Sequence, residues 1–167
     1  MRDQLVATWY LVFVFSDEFL APRPGIIRYW PADTTDPAAE TWSITVPLAT
    51  FSASDRYDPS TFCIGASGPE IIETSLQLDF IQIPAQNLSE LSRRTFTFPV
   101  NPEDGFIDAS VYLGGGHCPV DVTQIEFGPE RDGQIQAVLH TAFDFAAEAV
   151  EIENRAAVMT VDLHIPI

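Results

Sequence analysis

Two stretches late in the chain, residues 134–144 and 157–165, limit what it can fold into more than any others. In the first, Ile135, Ala137, Leu139 and Phe143 alternate with Gln136, His140 and Asp144. In the second, Ala157, Met159, Val161, Leu163 and Ile165 alternate with Thr160, Asp162 and His164. Successive side chains of a strand point to opposite faces, so each stretch reads as a strand with one buried face. Pairing them antiparallel with Phe143 opposite Val161 and Phe145 opposite Met159 keeps both apolar faces together. That register sets His140 opposite His164 and Asp144 opposite Thr160 on the outer face.

The same period recurs upstream. Residues 41–51 carry Trp42, Ile44, Val46 and Leu48 on one side, with Pro47 marking an edge or a bulge. In residues 71–83 the apolar face Ile72, Thr74, Leu76, Leu78 and Phe80 changes phase at Ile81 and Ile83, the signature of one inserted residue. Ile107, Ala109, Val111 and Leu113 alternate again, Phe96 and Phe98 start another strand, and residues 26–30 and 120–127 add two more. Turns rich in Gly, Pro, Asn and Asp separate them at 101–105, 114–116 and 128–133. The run Leu5 to Phe15 is too short to span a bilayer and reads as a central strand buried on both faces. Residues 87–94 hold the one helical turn, with Asn87 as its N-cap, and residues 146–153 read as a loop. Short strands at this spacing predict an all-β fold, an antiparallel β-sandwich of jelly-roll or Greek-key kind with roughly eight to ten strands. No repeat or linker divides residues 1–167, so a single domain is expected.

Charge narrows the partners. The chain holds 24 Asp and Glu against 8 basic residues, for a formal net charge of −16. Phosphate backbones and anionic membranes repel such a surface, so neither nucleic acid nor membrane is an expected partner. A basic protein is attracted by it, as an inhibitor- or immunity-type protein is by a basic enzyme. The apolar run near the start lacks the small-residue cleavage site of a secretory signal, so the cytoplasm is the default expectation. Cys63 and Cys118 then read as buried thiols. The sequence leaves oligomeric state open.

Three groups of residues carry candidate chemistry. His140, His164, Asp162 and Asp144 share the outer face of the last two strands, where two imidazoles and a carboxylate suit a transition metal. His117 and Cys118 follow three glycines; a cysteine nucleophile needs a base within reach, yet neighbours in an extended chain point to opposite sides. The acidic loops Asp33/Asp36/Glu40, Asp55/Asp58, Glu103/Asp104 and Glu148/Glu151/Glu153 offer oxygens for calcium, without the spacing of a helix–loop–helix calcium site. Phosphate-binding glycine loops, hydrolase elbows and metalloprotease helices do not occur, and no cofactor is expected beyond a metal. The sequence therefore favours a non-enzymatic binding domain for a basic partner, followed by a metal- or ligand-binding domain and then an enzyme with its site at 114–118.

Overall fold

The alternation becomes an inside and an outside. A computed structural model describes residues 17–32, 40–52, 71–113, 116–148 and 153–166. Its strands are β1 (Gly25–Trp30), β2 (Thr41–Pro47), β3 (Phe51–Ser52), β4 (Ile71–Ile72), β5 (Ser75–Ile81), β6 (Thr95–Thr97), β7 (Asp108–Leu113), β8 (Gly116–Phe127), β9 (Gln134–Phe143) and β10 (Arg155–His164). The long alternating strands send one set of side chains inward. Ile27, Trp42, Ile44, Leu76, Leu78, Val111, Ile125, Leu139, Phe143 and Leu163 are all buried there. Phe143 and Phe145 stack at 5.5 Å between ring centroids, adding aromatic contact to the burial.

The fold is all-β, as the alternation requires, but it is a barrel and not a sandwich. The strands run β8-β7-β5-β2-β1-β10-β9, and β9 pairs back onto β8. That pairing closes a ring of seven strands, with β6 added alongside β8. Every neighbour is antiparallel except β1 and β10, which meet in parallel at Gly25–Leu163 and Ile26–His164. Alternation is identical in a sandwich and a barrel, since both bury one face of each strand. Closure depends on long-range pairing and on bulges that bend strands, such as the one between Val122 and Gln124 in β8. β3 and β4 form a separate two-stranded sheet.

The strands β9 and β10 do pair antiparallel, with a different register from the sequence-based one. Phe143 faces Arg155, Leu139 faces Met159 and Ala137 faces Val161. The slip is an even number of residues, so the inner and outer faces are retained while the outer-face partners change. His140 lies opposite Val158, and His164 lies opposite Gln134.

Local chemistry explains the connections. Asp132 and Gly133 both have positive φ, 52° and 76°. Arg131 and Gln134 exchange two backbone hydrogen bonds of 2.9 Å around them, which is a two-residue hairpin turn matching the strand twist. The predicted helical turn is α1 (Leu88–Leu91), and Asn87 Oδ1 accepts from the Glu90 amide at 3.1 Å. Glu90 Oε2 accepts in return from the Gln86 amide at 2.7 Å, so two otherwise unpaired amides are satisfied. Of residues 146–153, Ala146–Glu148 form a single 3-10 turn. The apolar run 5–15, Asp33, Asp36, Asp55, Asp58, Cys63 and Glu151 lie outside the described residues.

Candidate functional site

The histidines chosen from the sequence are not brought together. His140 Nε2 sits 2.8 Å from Glu126 Oε1, and Gln124 Nε2 donates to the same oxygen at 2.8 Å. These contacts hold the Glu126 carboxyl below its ordinary range, the His140 bond contributing most. Glu126 therefore adds stability above its unfolded pKa, and that contribution is lost as pH falls through the lowered native value. His164 is exposed next to β1. Asp162 accepts from Gln136 Nε2 at 3.1 Å. Asp144 serves the turn before β10, its Oδ1 accepting from Asn154 Nδ2 at 2.8 Å and from the Ala147 amide at 3.2 Å. Among the described residues no group of three or more His, Cys, Asp or Glu is placed to hold a metal.

The pair His117 and Cys118 behaves as an extended strand demands. His117 is exposed, its ring 4.9 Å from that of Tyr112. Cys118 is fully buried on the opposite face, inside the barrel. An imidazole outside and a sulfur inside the wall cannot exchange a proton directly, so this pair is not assembled for nucleophilic catalysis.

A different cluster forms where the sequence shows only a change of phase. Across β2 and β5, Trp42 pairs with Ile81 and Ile44 with Leu78, leaving Asp79 and Phe80 both opposite Ser43. This is the predicted bulge, and its consequence is that both residues turn outward. Phe80, expected on the buried face, is 66% exposed and has φ 55°. A bulky residue in the left-handed region is a genuine outlier whose cost the surrounding sheet must absorb. Ile81 takes the inner position instead and is fully buried.

The neighbours of the bulge are polar and aromatic. Trp30, 48% exposed at the end of β1, donates from Nε1 to Ser43 Oγ at 2.9 Å. The Arg28 guanidinium carbon lies 5.1 Å from the centroid of the Trp30 ring. On the other side, Asp79 of β5 lies directly opposite Asp108 of β7. Directly opposite residues have β-carbons about 5 Å apart, and like charges there are destabilising. Partial burial, reinforced by the Asp108 charge, pushes the Asp79 carboxyl above its usual value. The native state then holds a proton more tightly than the unfolded chain. The repulsion is present above the raised native pKa and is relieved as pH falls toward the ordinary value of 3.8.

Further carboxylates stand at the same end of the barrel, where β1 and β5 finish and β2 and β7 begin. Glu40 accepts from Gln86 Nε2 at 2.9 Å. Burial, then the Glu40 hydrogen bond and the charges of Glu40 and Glu90, raise the Tyr29 phenol above its usual range. Glu103 and Asp104 are exposed in the turn leading into β7. No described helix is long and apolar enough to cross a membrane. Comparison with protein families, curated proteins and solved structures gives no match.

Proposed function

We propose that this chain is a non-enzymatic binding domain whose partner is a basic protein. The observation that carries the reading is the charge balance: 24 Asp and Glu against 8 basic residues, a net of −16. Carboxylates left facing water are a long-range attractor for cationic surfaces, accelerating encounter and orienting the partner. The Asp79–Asp108 arrangement adds to this, because two opposed carboxylates cost stability until a cation sits between them. Nucleic acids and anionic membranes are disfavoured on the same ground.

Salt dependence tests the reading. Arginine-rich and lysine-rich peptides passed over the immobilised chain should bind at low salt, with association slowing steeply as salt rises. Equal affinity at low and high salt would contradict a charge-led interaction.

A further inference from the structure

The acidic reading says what kind of partner is attracted but not where it lands. The β5 bulge supplies a face with the right composition. Phe80 and Trp30 are exposed aromatic rings on either side of Ser43, and the Asp79–Asp108 carboxylates border Phe80. The aromatic rings lie on the outside of a wall whose inner face is lined by the buried Trp42, Ile44, Leu78 and Ile81, so neither ring belongs to the core. Two features of this spot are locally unfavourable: Phe80 occupies left-handed backbone, and the two carboxylates repel each other. One occupant, a guanidinium, relieves the second and makes use of the exposed rings. Its charge suits the two carboxylates, its planar fork donates to two carboxylate oxygens, and its flat face stacks on aromatic rings. The protein already shows the last of these contacts, since Arg28 rests over the Trp30 ring. Arg28 occupies that ring from its own strand and leaves Phe80 and the carboxylates open.

We propose that the outer face formed by Trp30, Ser43, Asp79, Phe80 and Asp108 docks an arginine-bearing segment of the basic partner. The docked guanidinium lies at the Asp79–Asp108 pair, and the rest of the segment covers the Phe80 ring. The proposal rests on the reading of the chain as a basic-partner binder and gives that reading a surface.

Binding of fluorescein-labelled nona-arginine and nona-lysine to the full chain at low salt tests it. The wild type should prefer the arginine peptide several-fold, because an ammonium lacks the fork and the flat face. Phe80→Asn should weaken arginine-peptide binding about tenfold. Its melting temperature should equal or exceed that of the wild type, since asparagine tolerates left-handed backbone far better than phenylalanine. Asp79→Asn with Asp108→Asn should cost about tenfold in binding while raising the melting temperature at neutral pH. The control is Glu73→Gln with Glu153→Gln, which removes the same charge where β5 and β10 begin, at the far end of the barrel, and should change binding by no more than about twofold. If both bulge-face variants bind like this control, the docking face is wrong while the acidic-binder reading stands. If the wild type binds neither peptide at low salt, that reading fails and takes the docking face with it.

Discussion

Replacing Trp42 with alanine should lower the melting temperature by roughly 10 °C or more, among the largest effects expected of truncating a core side chain. Trp42 is 1% exposed and heads the largest fully buried side chains. Its ring lies 5.2 Å from Tyr29, and its Nε1 donates to the Ala85 carbonyl at 2.8 Å. Truncating a buried aromatic to alanine costs about 3–5 kcal/mol through lost transfer energy and the cavity left behind. The Ala85 carbonyl would also lose a buried donor. Trp42→Phe separates the two contributions. It keeps most of the ring volume and loses the hydrogen bond, so a cost of about 1–3 kcal/mol is expected. Thermal and urea unfolding followed by circular dichroism measures both. A shift of a degree or two for Trp42→Ala would mean that the barrel core is not organised around this side chain.

Gly25→Ala should also be damaging, for a reason confined to the seam of the barrel. Gly25 begins β1 and pairs in parallel with Leu163 of β10. A Cβ at this position would lie 2.5 Å from the Thr45 carbonyl oxygen and 3.0 Å from Leu163 Cδ2. The first distance is to backbone, which cannot swing aside, so β1 would have to move away from β2 or β10. Overpacking of this kind costs typically about 1–3 kcal/mol, and a clash with backbone belongs at the upper end. Gly128→Ala is the matched control. Its Cβ would meet Gln136 at 3.5 Å, an ordinary contact, and little change in stability is expected. Equal stability of the two variants would show that the parallel β1–β10 seam is looser than the structure has it.

How much of this was legible in the sequence varies by element. The period-two pattern identified β2, β7, β9 and β10 and their buried faces, because alternation reports directly on which side of a strand meets water. Asn87 and the Asp132–Gly133 turn were readable for a similar reason: capping and positive φ place local demands on particular residue types. Closure was not readable. The pairing of β1 with β10 joins residues far apart in sequence, and alternation says nothing about which strand lies alongside which. The β9–β10 register failed in the same way. Sliding one strand by an even number of residues leaves every inner face apolar, so the pattern cannot choose among such slips. This is why His140 faces Val158 instead of His164. The docking face was half legible: the phase change at Ile81 pointed to a bulge, but assigning Phe80 to the buried side hid its outcome. A bulge turns two consecutive residues to one side. Reading it that way would have put Asp79 and Phe80 on the surface together, with only the pairing to Asp108 left to the structure.

The claim on which the functional account turns is that the β5 bulge face receives the basic partner. Amide and indole shifts of the isotope-labelled chain, followed by NMR as nona-arginine is added, test it most directly. The Trp30 indole and the amides of Ser43, Asp79, Phe80 and Asp108 should move together and saturate at one peptide concentration. The Trp42 indole, buried and bonded to Ala85, should stay in place as an internal reference. Shifts spread over Glu73, Asp144 and Glu153 at the far end of the barrel, with the Trp30 indole unmoved, would contradict the account.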